Sequence, residues 1–397
     1  MSEFLCGRNV TLVRLTVAIC ILVVLIAQIG LWNSQLRFNG DESSILMTVI
    51  SIIKHHSLNV YPSYVERDFL ALGLNDLHWQ VPPVNGFIPP EHGFGFPAFV
   101  APLYAVLGVA GTRVALIAVN ILVFPLLFLN CVWCGLSRLS AAMACLALAT
   151  VMPWQVHVGL VIPEILAGTM TMGIVSAYLR FKQTRHWAYA LATGLVTLLL
   201  PMVYLKYAAL AVASGVLLLA NRSLRINPAT YAAAPLAAGY VLLWIAVYGW
   251  SISIGTGAGP QQFEPAGLSH QFWAAFIDRE NGEWVWAPVT ALAVVGLLWW
   301  RRSLDVQAYL LTAVMLYATL YGITTLKPGY SAPGRYLVAA APAMVMLAAI
   351  SMLRDGRMYH ARFAVFGGLA LFSGTILFGS IAGYLPSAYF RAFPQFY

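Results

Sequence analysis

A chain of 397 residues would ordinarily fold as two or three soluble domains. Here 60% of the residues are hydrophobic, only 9% are charged and the mean hydropathy is +0.79, whereas a soluble domain carries roughly 25% charged residues. So few charges cannot cover a water-exposed surface, which excludes a soluble multidomain enzyme, a disordered chain and a secreted disulfide scaffold. The composition is that of a polytopic membrane protein.

The net charge of +8 does not point to nucleic acid, because no basic stripe or aromatic-interleaved loop accompanies it. The basic residues sit instead in short loops between apolar runs. Five cysteines (Cys6, Cys20, Cys131, Cys134 and Cys145) lie in or near those runs or in the N-terminal tail. Cys131-x-x-Cys134 matches half of a redox or metal motif, but no second pair or histidine follows, so packing is the expected role.

In chain order, Leu15 to Trp32 comes first, flanked by Arg8 and Arg14. It is long enough to span and lacks a small-x-small cleavage site, so it reads as an uncleaved first helix. Further spans are expected near 114–134, 140–156, 163–180, 187–204, 207–220, 231–250, 287–300, 306–323, 336–352 and 363–384. The stretch 96–109 is apolar but short and carries Pro97 and Pro102, which suits an interfacial or re-entrant helix. With 96–109 not spanning and the N-terminus cytoplasmic, 13 of the 22 basic residues and only three of the 14 acids face the cytoplasm. Letting 96–109 span would turn the short basic loops outward, against the positive-inside rule.

The expectation is therefore an all-α integral membrane protein, a polytopic bundle of eleven transmembrane helices forming one domain over 1–397. A first outer loop covers 34–112, with two juxtamembrane helices, and a second covers 251–286. The intramembrane or edge charges Glu164, Lys206 and Arg335 all fall at outer ends. No internal repeat is visible.

After the first helix comes Asn39-Gly40-Asp41-Glu42. Ile45, Leu46, Val49, Ile50 and Ile53 then recur at helical spacing, with Ser44, Thr48, Ser51 and His55 opposite. Such a helix is expected to lie flat on the membrane. Asp41 stands where the chain turns along the bilayer; it fits an N-cap and equally a general base. Farther on, Pro89-Pro90-Glu91-His92-Gly93-Phe94-Gly95-Phe96-Pro97 combines turn-forming residues with one Glu and one His. A lone Glu-His pair is a weak metal signature. No metal ligand is assigned, and a divalent metal is left open as the sole cofactor candidate.

Five segments in order carry a family likeness: Gly40-Asp41-Glu42, Glu91-His92 before the short apolar helix, Ile162-Pro163-Glu164, Leu205-Lys206-Tyr207, and Ser331-Ala332-Pro333-Gly334-Arg335-Tyr336-Leu337. Phe276-Ile277-Asp278-Arg279-Glu280-Asn281-Gly282 with Ala287-Pro288 adds a sixth. On these the chain resembles the GT-C membrane glycosyltransferases, the group of protein O-mannosyltransferases and lipid A aminoarabinose transferases. It departs from them at Glu-His-Gly-Phe-Gly, where many relatives have His-Pro-Pro or Lys-Pro-Pro. The resemblance implies a GT-C-like fold in a bacterial cytoplasmic membrane and a site on the outer, periplasmic face. It also implies inverting transfer from a polyprenyl-phosphate-linked sugar to a lipid-linked or glycan acceptor. The implied base matches Asp41, with Glu42 adjacent.

The chemistry agrees with that inventory. A single displacement needs one carboxylate to take the acceptor's proton, and a phosphate leaving group needs cations. A glycoside hydrolase would need two carboxyl groups. Lys206, Lys327, Arg279 and Arg335 are the candidate donor-phosphate ligands. Glu164, His92, Tyr207 and His157 are the candidate substrate contacts, although Lys206 also fits snorkelling or a pair with Glu164. Trp154, Trp273, Trp284 and Trp286 fit a sugar cavity or an interfacial belt. The competing functional class is a secondary transporter or lipid flippase, which predicts mid-membrane charges and repeats. A third is a non-catalytic subunit of the same fold.

Overall fold

The structure, a computed structural model, describes residues 7–33, 40–79, 82–248, 268–277, 282–294, 304–323, 335–353 and 358–382. Regular structure within them is helical, apart from one isolated bridge between Val84 and Phe87. The helices are α1 (Gly7–Asn33), α2 (Gly40–Lys54), α3 (Tyr61–Val65), α4 (Gly95–Asn120), α5 (Val123–Trp133), α6 (Arg138–Thr150) and α7 (Met152–Val158). They continue as α8 (Glu164–Thr184), α9 (Trp187–Val203), α10 (Ala208–Ala213), α11 (Gly215–Ala220), α12 (Arg222–Arg225) and α13 (Ala234–Tyr248). The last are α14 (Leu268–Ile277), α15 (Glu283–Trp286), α16 (Pro288–Ala291), α17 (Leu304–Ile323), α18 (Ala341–Met352) and α19 (Tyr359–Ile381).

Four helical stretches are long and apolar enough to cross a membrane among the described residues: Thr11–Gly30, Gly95–Trp133, Pro228–Tyr248 and Tyr359–Gly379. Helices α6 and α7 make a fifth if taken as one span bent by 68°. Pro153 in the first turn of α7 explains that bend, since proline cannot continue the preceding ladder. Trp187–Val203, Leu205–Ala220, Asp305–Leu320 and Leu337–Met352 are apolar but shorter. Among the described residues the eleven apolar runs thus give fewer full-length helices. Leu205–Ala220 runs on through Ser214, whose backbone is helical (φ −62, ψ −17), and is simply short. The expected span 287–300 is described only to residue 294.

The core is arranged around α18, every residue of which is buried. A helix apolar on all sides belongs at the centre of a bundle. By contrast α1 and α13 expose Leu22, Ile29, Leu236 and Leu242. Glycine sets two close approaches. A methyl group at Gly95 would overlap the Met202 carbonyl oxygen, and one at Gly194 would overlap that of Thr230. The first pins the start of α4 to the end of α9.

Two expectations for the first loop change. The stretch 96–109 is helical, but it is the first half of α4, which breaks at Gly108 (φ 63, ψ −170). Only glycine adopts that backbone comfortably. Second, α2 does not show a polar face to water: Ser43, Ser44, Thr48 and Ser51 are all buried. The chain returns over them, and Ser51 Oγ donates to the carbonyls of Ser57 and Asn59 at 3.1 and 2.8 Å. Helix α2 is a core element.

Polar contacts fall into two sets. Lys182 pairs with Asp305 at 2.6 Å, Arg185 donates to Asn221, and Ser140 donates to the Leu353 carbonyl. These residues all lie at the ends assigned to the cytoplasm by charge. The other set joins α2, α4, α8 and α9 at the opposite ends. Its anchor is Glu42, fully buried. Arg113 Nε donates to Glu42 Oε1 at 2.8 Å and Nη2 to Oε2 at 2.7 Å, while Val161 N donates to Oε1 at 2.8 Å.

Removing one partner of such a pair strands a buried charge, which costs about 3–5 kcal/mol. Arg113→Met alone should therefore lower stability by about that much in chemical denaturation of the detergent-solubilised protein. The double variant Glu42→Gln with Arg113→Met should lose clearly less than the sum of the two single changes.

Candidate functional site

Asp41 sits in the first turn of α2, one residue before the buried Glu42 anchor. Its carboxylate remains partly exposed, at 21%. Asp41 Oδ1 is 3.8 Å from Nε2 of His92, which is buried on the loop leading into α4. That distance is longer than a hydrogen bond, and contacts of this kind commonly tighten on substrate binding. The other ring nitrogen, Nδ1, lies 3.5 Å from the Tyr204 hydroxyl. Gly93 adopts φ +79, and that turn brings His92 beside Tyr204 at the end of α9.

Burial pushes the His92 pKa down to about 4, and Lys206 adds to the effect while Glu91 and Glu164 oppose it. The imidazole is neutral at physiological pH. In the tautomer in which Tyr204 donates to Nδ1, Nε2–H faces Asp41. The pair can orient a carboxylate without neutralising it.

Lys206 follows α9 in a short 3-10 turn, Leu205–Tyr207. Its Nζ donates to Glu164 Oε1 at 2.6 Å. The ammonium also lies 4.7 Å from the Tyr204 ring centroid and 5.4 Å from that of Tyr207. Aromatic faces stabilise a cation most when it is desolvated, and this side chain is only 13% exposed. The sequence leaves open whether Lys206 snorkels or pairs with Glu164. It pairs.

Glu164 opens α8 directly after Pro163, so the helix dipole and Lys206 both favour its charge. Its second oxygen, Oε2, is buried without a hydrogen-bond partner. His157 is fully buried at the end of α7. Nδ1 must be its protonated nitrogen, because it contacts the Pro153 carbonyl oxygen at 2.6 Å. Nε2 is then a bare acceptor, buried and without a partner. Neither acceptor has a donor among the described residues.

Asp41, His92, Tyr204, Lys206 and Glu164 form a continuous chain of contacts at one end of the bundle, drawn from α2, the loop before α4, α9 and its following turn, and α8. Tyr207 is nearby and fully buried, packed on Tyr317 at 5.9 Å. Arg335 opens a 3-10 helix, Arg335–Ala340, which packs on α8, but its side chain lies outside the described residues. Arg279 and Lys327 also lie outside them. Glu42 does not share the site's solvent-facing role, since both its oxygens are held by Arg113 and Val161. Trp154 packs against Phe124 and Trp286 against Met152 and Val156, as core residues.

No protein-family model matches the chain, and no curated protein matches it. Among solved structures, the fold is similar to that of ArnT from Cupriavidus metallidurans in the apo state. The TM-score is 0.57 at 11% identity, over 97% of this chain and 68% of that one. ArnT from Cupriavidus metallidurans bound to undecaprenyl phosphate gives a TM-score of 0.49 at 15% identity, over 94% and 67%. The chain shares the fold of ArnT. At such identity the likeness speaks for the fold and leaves the activity to the site.

Three residues of this end escaped the sequence reading. Arg113 is a lone cation at the edge of an apolar run, and Tyr204 stands two residues before Lys206. Glu283 stands between Gly282 and the aromatic run Trp284-Val285-Trp286. It is fully buried in α15, which packs against α7 and the 3-10 helix that starts at Arg335. Neither carboxylate oxygen has a partner among the described residues, and burial raises its pKa to about 8. A carboxyl held above its unfolded value contributes most below that unfolded value. Stability then falls as pH rises towards about 8 and levels off beyond it. Glu283→Gln, which mimics the protonated form, should melt with the wild type at pH 5. At pH 8 it should melt several degrees higher.

Proposed function

We propose that the chain is an inverting membrane glycosyltransferase that takes a sugar from a polyprenyl-phosphate donor. The acceptor is a lipid-linked or glycan hydroxyl at the outer face of a bacterial cytoplasmic membrane. One observation carries the reading. A partly exposed aspartate, with a neutral histidine beside it, is linked through Tyr204 to a buried lysine fixed by a glutamate. Four separate segments converge to make this arrangement.

In this reading Asp41 is the general base that takes the acceptor's proton as its oxygen attacks the anomeric carbon. His92 orients it. Lys206, its position set by Glu164 and two tyrosine faces, offers a point charge to the departing phosphate, and Arg335 supplies a planar, bidentate second cation. Arg279 and Lys327 extend the same phosphate contacts from the second outer loop and from the segment before Arg335. His157 Nε2 and Glu164 Oε2 accept hydrogen bonds from substrate hydroxyls, and Tyr207 walls the sugar. No step runs through a metal. Glu42 is the anchor of the base and not an alternative to it.

Several further points support the assignment. The fold is shared with ArnT, and ArnT binds undecaprenyl phosphate. The ordered motifs resemble the GT-C enzymes. In the proposed topology of eleven spans, the charge count favours a cytoplasmic N-terminus with the site on the other face. It agrees with the separation of Lys182–Asp305 contacts from Lys206–Glu164 contacts. The site's charges gather at one end of the bundle, whereas a transporter would place them near mid-membrane.

The test is transfer by purified protein in nanodiscs, given polyprenyl-phosphate sugars and membrane-lipid acceptors. Asp41→Asn keeps the size and polarity of the side chain and should lower kcat by about 100- to 10,000-fold. Lys206→Met should raise the donor KM and lower kcat together. Equal transfer by wild type and Asp41→Asn would overturn the base assignment. Lipid translocation without transfer from any donor would move the protein to the flippase class.

A further inference from the structure

A second cluster of charged side chains lies at the other end of α2, away from Asp41. Helix α2 spans fifteen residues, so the two ends stand roughly 20 Å apart at 1.5 Å per residue. There His55, Glu66 and Asp68 each turn one ligand-type atom inward, all within 4.8 Å of one another. His55 Nε2 and Asp68 Oδ2 are 3.2 Å apart. Neighbouring ligands on a first-row divalent ion, with bonds of about 2.0–2.2 Å, are separated by about the same distance.

Lys54 marks where a cation is wanted. Its Nζ lies 2.7 Å from Glu66 Oε2 and 2.6 Å from Asp68 Oδ1, bridging the two carboxylates. The lysine is about half exposed and can swing into solvent, whereas Asp68 and His55 are only 9% and 15% exposed. Behind them Ser63 Oγ is fully buried, without a hydrogen-bond partner at normal distance. His56 (φ 51) and Arg67 (φ 58) adopt left-handed backbone on either side of the ligand residues, and those turns bring them together.

We propose that His55, Glu66 and Asp68 form a divalent cation site of the Zn²⁺ or Mn²⁺ class, with Lys54 as the built-in competitor for the two carboxylates. One imidazole and two carboxylates suit these ions. The remaining positions are filled by water. An ion there staples the end of α2 to the Asp68–Leu72 turn, and it takes no part in chemistry at Asp41. This inference does not rest on the proposed sugar transfer.

The test is binding of Zn²⁺ by calorimetry and of Mn²⁺ by electron paramagnetic resonance to the full-length protein in detergent. Wild type should bind one ion. Lys54→Met should bind it at least about ten-fold more tightly, because the competing charge is gone. Asp68→Asn and, separately, His55→Gln should lose the ion, while Asp41→Asn should retain it with unchanged affinity. Equal affinities of wild type and Lys54→Met would overturn the proposal. So would an ion retained by folded Asp68→Asn protein, and so would absence of binding to folded Lys54→Met protein. Because Lys54→Met gains affinity, a folding defect in the other variants cannot imitate the expected result.

Discussion

The buried Glu42–Arg113 pair is the constraint on which the site end of this molecule depends. An ionised carboxylate has no place in an apolar interior unless its oxygens are filled. Here two guanidinium hydrogens and the Val161 backbone amide fill them. Meeting that requirement brings α2, α4 and the segment before α8 to one point. Asp41 is the neighbouring residue, so its position at the mouth of the site follows from the anchoring of Glu42.

Around that anchor the charges are managed in unequal ways. Lys206 keeps its charge because Glu164 and two aromatic faces replace the water it lost. His92 loses its charge because burial outweighs the nearby acids. His157 is locked by its own turn carbonyl into the tautomer that accepts at Nε2. The result is one partly solvated acid, one fixed cation and a set of acceptors along one chain of contacts at one end of the bundle. Glu283 extends the pattern, as an acid buried without partners against the same helix that carries His157.

Much of the site was legible because charges in an apolar chain are few. Asp41, His92, Glu164 and Lys206 each stand out where an apolar run begins or ends, and the charge count puts them on one side. The role of Glu42 was not legible. Its partners Arg113 and Val161 lie 71 and 119 positions away, and no local pattern records such a distance. The period of α2 correctly gave a helix but wrongly gave it a wet face. Ser44, Thr48 and Ser51 fit an exposed stripe in sequence, while in space all three are buried, Ser51 bonding to the returning loop and Thr48 to its own helix. Full-length helices among the described residues are fewer than the apolar runs for a related reason. Hydropathy registers an apolar run, but a proline within it decides whether one straight helix results, as at Pro153.

By itself the sequence determined that this is a helical membrane protein, because its few charges cannot wet a soluble surface. It also determined which residues were candidates for chemistry, because a charge in an apolar run is costly enough to need a reason. Only the tertiary structure decided which candidates meet, which acid is locked and which stays partly exposed. Hydrogen bonds and ion pairs act over about 3 Å, and the separations that matter here are set by helix packing between residues far apart in the chain.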